Sequence, residues 1–140
     1  VKISDFNITG DAIPEKVADK ILLNHIRPLE RVSRVVPFEV RVSAKSGYRP
    51  QWYEWSRGRS GKSEHCFKGD GAVDLTCDNW DQNKGLFLVA LIEQSRYTRI
   101  AEYDYINARG ERITFYHCDY RDMGGERWLF DSNWKRIRKL

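Results

Sequence analysis

The stretch TRIAEYDYINARGERITFYHCDY, residues 98–120, decides the fold. Two runs rich in aromatic and β-branched residues, Thr98 to Tyr105 and Arg112 to Tyr120, flank Asn107-Ala108-Arg109-Gly110, which has the composition of a turn. The pair reads as a β-hairpin. Toward the N-terminus, Ala72-Val73-Asp74-Leu75 is a short strand. Phe38 to Ser43 sets Phe38, Val40 and Val42 against Glu39, Arg41 and Ser43, the period-two pattern of a half-buried strand. Between these, Gln51 to Gly71 is dominated by Trp, Tyr, Arg, Ser and Gly and predicts a long loop, a kind of segment that usually carries function.

Helices are expected at two places. From Pro14 onward Val17, Ile21, Leu22, Ile26 and Leu29 recur at helical spacing, and Pro28 should kink or end that helix by removing a backbone donor. Leu86 to Ile92, within Gly85 to Tyr97, is an apolar run suited to a buried helix. Strands that adjoin one another rather than alternate with helices indicate an α+β fold, a small mainly antiparallel sheet flanked by helices. A length of 140 residues suits one domain over 1–140.

The composition, 41% apolar and 31% charged, is that of a globular protein, and no window approaches the roughly 18 apolar residues of a membrane span. Val1 to Asp11 lacks the basic flank and apolar run of a signal peptide. A net charge of +4 favours an anionic partner, and its densest cluster, Lys135, Arg136, Arg138 and Lys139, reads as a solvated terminus. A monomer is expected. Tyr48 to Arg59 could serve as a stacking platform for single strands, but nucleic acid is not the expected partner.

Of the three histidines, His25 lies in the first helix and reads as a packing residue. His65 falls in the glycine-punctuated loop, Asp74 opens a strand, and His117 sits mid-strand. Taken singly, these read as a solvated loop imidazole, a turn-capping carboxylate and a core hydrogen-bonder. Together they supply residue types that hold catalytic zinc. Cys66, Cys77 and Cys118 each lie within three residues of one of them, so a thiolate site competes. Strand alternation places Cys118 on the face opposite His117, which disfavours it.

The order Ser46-Gly47-Tyr48-Arg49, Ser63-Glu64-His65, Gly71-Ala72-Val73-Asp74-Leu75 and Tyr116-His117-Cys118-Asp119 resembles the zinc D-alanyl-D-alanine peptidases. That group includes peptidoglycan carboxypeptidases, dipeptidases, phage endolysins and, by fold, the hedgehog signalling domain. The resemblance runs from the first helix to Trp128. It implies the hedgehog/D-alanyl-D-alanine peptidase fold, Zn2+ on His65, Asp74 and His117, and Arg49 holding a substrate carboxylate or carbonyl. The implied substrate is a peptidoglycan stem peptide, with Ser63, Tyr48 and Trp52 beside Arg49 as further substrate contacts. A phage or prophage lysis enzyme acting on the cell wall would suit so compact a chain.

Two departures from the family pattern matter. Eight residues separate His65 from Asp74 where the family usually has six, and Thr114 stands where family enzymes carry an acid three residues before the last histidine. Threonine cannot be a general base. Asp119, two positions after His117 and so on the same strand face, is the first expectation for that role, and Glu102 is the second. The missing acid also admits a catalytically inactive, zinc-bearing binding domain.

Overall fold

A computed structural model describes all 140 residues, Val1–Leu140. Its centre is a six-stranded sheet in the order β1-β2-β4-β3-β5-β6. The strands are β1 (Arg41–Val42), β2 (Ala72–Thr76), β3 (Arg99–Ile106), β4 (Arg112–Asp119), β5 (Trp128–Phe130) and β6 (Arg136–Lys139). All neighbours are antiparallel except β3 and β5. The architecture is α+β with a mostly antiparallel sheet, as the sequence predicts. The expected hairpin is β3–β4, its turn tied by Asn107, whose Oδ1 accepts from the backbone of Arg109 and Glu111.

Strand alternation sorts the sheet into two faces. Val73, Leu75, Ile100, Tyr116 and Cys118 join the helices in one core cluster of 20 buried residues. Asp74, His117 and Asp119 share the other face, on registers that set Asp74 opposite His117 and Arg99 opposite Asp119. Helix α4 (Trp80–Gln94) covers the first face through Phe87, Ala90 and Leu91, leaving Leu86 and Val89 exposed, so only one side of the predicted apolar run is buried.

The first helix does not end at Pro28. It runs as α1 (Glu15–Ile21), a π-helical turn over Leu22–Ile26, and α2 (Arg27–Val35). Pro28 cannot donate to the Asn24 carbonyl one turn earlier, and the widened turn gives that carbonyl another partner. The Tyr120 hydroxyl, from the end of β4, donates to it. No helix is long and apolar enough to cross a membrane.

Three other expectations are corrected. Only Arg41 and Val42 of Phe38–Ser43 pair as a strand, although Val40 is buried and Phe38 and Val42 pack on the core as the alternation requires. The long loop contains helix α3 (Gln51–Ser56), entered through Pro50, and a 3-10 turn over Glu64–Cys66. The basic tail is exposed, as expected of a solvated terminus, but Arg136–Lys139 are ordered as the edge strand β6.

Candidate metal centre

Ser46-Gly47-Tyr48-Arg49 forms a bracket for the site. The Ser46 carbonyl accepts from Asp74 N at 3.2 Å, the Gly47 carbonyl accepts from His65 Nδ1 at 2.9 Å, and Arg49 N donates to the His65 carbonyl at 2.8 Å. Glycine is required at 47 because a Cβ there would stand 2.4 Å from the Phe6 Cα. Ser63 caps the 3-10 turn, its Oγ accepting from His65 N.

The long interval between His65 and Asp74 is folded onto the first helix. Phe67 adopts a left-handed conformation (φ 57°) and buries its ring, which lies where a Cβ on Gly71 would collide at 2.0 Å. Lys20 Nζ donates to the carbonyls of Phe67, Lys68 and Gly69, and His25 Nε2 lies 2.9 Å from the Asp70 carbonyl. The eight residues between His65 and Asp74 therefore form an anchored bend.

His65, Asp74 and His117 converge, with ligand atoms all within 4.8 Å of one another, and all three are buried. Because the Gly47 carbonyl accepts the proton on His65 Nδ1, Nε2 keeps its lone pair. That Nε2 is buried, has no hydrogen-bond partner, and lies 3.3 Å from Asp74 Oδ1. His117 Nδ1 lies 2.9 Å from the same oxygen, and its Nε2 lies 2.7 Å from Asp119 Oδ2. An orphaned nitrogen, a carboxylate oxygen and a second imidazole nitrogen aimed at one point form a group that could hold a metal ion. No cysteine joins it: Cys66, Cys77 and Cys118 are free and buried.

The electrostatics agree. Burial would lower the His117 pKa, but its hydrogen bonds to Asp119 and Asp74 raise it to about 9. Burial works against the ionised carboxyls of Asp74 and Asp119, and the imidazole and Arg99 partners nevertheless hold both well below the usual carboxylate range. A cation at this point would replace the proton that otherwise bridges His117 and Asp74.

Asp119 is on the His117 face, as expected, but it is fully engaged. Arg99 grips it through Nε at 2.9 Å and Nη2 at 2.5 Å, Arg121 N donates to Oδ1, and Oδ2 meets His117. A carboxylate so occupied orients an imidazole and has no free lone pair directed at a substrate. Glu102 is on the wrong face: it pairs in register with Tyr116 and bonds Lys84 of α4 and the Tyr116 hydroxyl. Thr114 shares that face by alternation.

A cavity of about 510 Å³ opens over the group, lined by Arg49, Ser63, Tyr103, Phe115 and Trp134 besides the three candidate ligands. Arg49 is mostly buried, with an unpartnered Nε and its Nη1 3.9 Å from Glu54, which Arg59 holds at 2.7 Å. Tyr48 and Trp52 are not among the lining residues. Tyr48 packs against Phe67 and the core, and Trp52 stands exposed on α3. A larger cavity of about 650 Å³, under the N-terminal segment, contains no histidine or cysteine.

From the sequence Trp134 reads as either core or groove edge, and the structure puts it at the wall of the cavity. The β5–β6 turn, tied by Asp131 Oδ1 to the backbone of Asn133 and Lys135, holds Trp134 in a left-handed conformation (φ 60°). Its ring meets the His117 ring edge-on at 5.3 Å, and the Arg99 guanidinium lies over it at 4.3 Å. No protein-family model, curated protein or solved structure matches the chain.

Proposed function

We propose that this chain is a zinc-dependent peptidase that hydrolyses a peptide bond in the peptidoglycan stem. The observation that carries the reading is the buried, partnerless His65 Nε2, aimed with Asp74 Oδ1 and His117 Nδ1 into the floor of an open cavity. Two imidazoles and one carboxylate are a ligand set used by catalytic zinc, which keeps a further position for water or substrate. When bound, zinc supplies a Lewis acid and lowers the pKa of a water in its coordination shell. The four motifs shared with the D-alanyl-D-alanine peptidases support the peptidoglycan assignment.

The chain's own residues divide the remaining work. Arg49, which lines the cavity, orients a substrate carbonyl or carboxylate through its guanidinium. Asp119 holds the His117 ring in the orientation that presents Nδ1 to the ion. Trp134 and Phe115 exclude water from the flanks. Glu64 is the one carboxylate besides Asp74 among the residues lining the two cavities that contain His117; its Oε2 rests beside Gly69, and it would take up proton transfer by turning toward the ion.

Zinc-loaded protein is expected to release stem-peptide fragments from purified sacculi, read by mass spectrometry, and His65→Ala and His117→Ala are expected to release none. Wild type that releases no more than these variants ends the peptidase reading. A binding domain that carries zinc without turnover is the second reading, favoured by the full engagement of Asp119 and by the placement of Glu102 on the helix-covered face. About one equivalent of zinc with no product would select it.

A further inference from the structure

Two cavities meet at the metal group, and they differ in kind. The one of about 510 Å³ extends over Tyr103, Tyr105, Phe115 and Ile113, with the Tyr103 and Phe115 rings stacked at 4.8 Å. The other, of about 340 Å³, is walled by Lys62, Glu64, Arg99 and Arg121. Ser63, His117 and Trp134 line both, so a ligand long enough to occupy the two must cross the candidate metal group. One end of its path is aromatic and the other is cationic.

We propose that the smaller cavity is an anion subsite that seats a carboxylate of the bound peptide on Lys62, Arg99 and Arg121. The identity of the peptide rests on the zinc-peptidase reading; the subsite rests on this cavity alone. Arg99 spends Nε and Nη2 on Asp119, while Nη1 has no partner in the chain and is not among the buried orphans, so it is open to the cavity. Trp134 stacks beneath the guanidinium and fixes its plane. Lys62 and Arg121 form no ion pair, and the one acid on the wall, Glu64, keeps Oε2 over Gly69, 3.8 Å from where a Cβ would lie.

An anion entering there gains charge-assisted hydrogen bonds from groups the fold has already oriented, and a neutral amide does not. The geometry thus assigns a direction to the substrate. A carboxylate-bearing residue lies toward Lys62 and Arg121, the scissile bond lies over the metal group, and the remaining chain lies on the Tyr103–Phe115 floor.

A stem peptide carries carboxylates on a side chain and at its C-terminus, and both present the same chemistry. The test uses one stem pentapeptide in three forms: unmodified, with the glutamyl α-carboxyl amidated, and with the C-terminus amidated. Binding to the zinc-loaded protein is read from the Arg99 and Arg121 Nε–H signals by NMR. One amidated form is expected to bind about tenfold more weakly than the unmodified peptide, and its identity names the carboxylate seated. That ratio should fall to about one in Lys62→Gln/Arg121→Gln, which leaves zinc content unchanged.

Equal affinity for all three forms, or an unchanged ratio in the double variant, overturns the subsite. Glutarate, titrated in parallel, probes the cavity without any peptide. Wild-type Arg99 shifts that vanish in the double variant uphold the subsite even if no sacculus is ever cleaved, and Arg99 and Arg121 signals that glutarate leaves unmoved in wild type count against it even if cleavage is robust.

Discussion

The two faces of β4 each keep a histidine close by, and they treat it in opposite ways. On the helix-covered side His25 is buried with both nitrogens served, Nδ1 at 2.8 Å from the Tyr97 hydroxyl and Nε2 at the Asp70 carbonyl. On the open side His65 is equally buried, with one nitrogen served and the other left without a partner. A satisfied buried imidazole is packing. An unsatisfied one, beside a carboxylate and a second imidazole, is a candidate metal site, because a protein interior seldom leaves a polar atom alone without a use for it.

The largest expected effect breaks the open face alone. Asp74→Asn removes the negative charge from the group common to both imidazoles, so zinc content should fall from about one equivalent to background, with hydrolysis reduced about a thousandfold. Elemental analysis and a peptide-release assay check both. His25→Gln should leave zinc content intact; loss of zinc in that variant would erase the distinction between the two faces.

Next in size is a pH dependence in which the faces pull in opposite directions. Burial lowers His25 to about 4, so below about 6.5 the unfolded chain takes a proton that the folded chain refuses. Stability should fall by about 3 kcal/mol as pH drops from 6.5 to 4. His117 is raised to about 9 by Asp119 and Asp74 against the opposing effect of burial. Its contribution, also about 3 kcal/mol, is fully present below about 6.5 and lost as pH rises through 9. Denaturant unfolding of metal-free protein should therefore be most stable near pH 6.5, and zinc, which displaces the His117 proton, should abolish the alkaline limb. A limb that survives zinc would mean that His117 is not a ligand.

Asp119→Asn sharpens the comparison within the open face. A carboxylate that orients His117 should, when neutralised, weaken zinc affinity by about 10- to 100-fold and leave the rate at saturating zinc within about tenfold. A residue that abstracts the reaction's proton would show the reverse split, which competition with a chelator and saturating-zinc kinetics separate. The smallest expected effect is on the helix side. Tyr120→Phe strips the Asn24 carbonyl of its donor beside Pro28 and should cost about 1–2 kcal/mol of unfolding free energy with unchanged zinc content.

How much of this was legible in the sequence follows from the range of each signal. Period-two alternation and the Asn107–Gly110 turn put His117 and Asp119 on one strand face, and the structure agrees. Glu102 was misplaced because its face depends on cross-strand parity, fixed only by the pairing of Glu102 with Tyr116. Pro28 signalled a kink or an end, and the sequence could not choose between them because the hydroxyl that bonds the freed carbonyl lies 96 residues from Asn24. Strands β5 and β6 were invisible. One has three residues and the other alternates cations with a single exposed isoleucine, so neither shows an alternating pattern, and without them Trp134 stayed undecided between core and groove edge.

The helix-covered face has a use of its own. Cys118 is fully enclosed beneath the sheet, and its thiol is pushed well above the ordinary range by burial and then by the charges of Asp74 and Asp119. Alkylating reagents attack thiolate, so this sulfur should resist labelling and oxidation until the sheet itself opens. Its modification rate then works as a built-in clock for global opening, read without a probe anywhere near the open face.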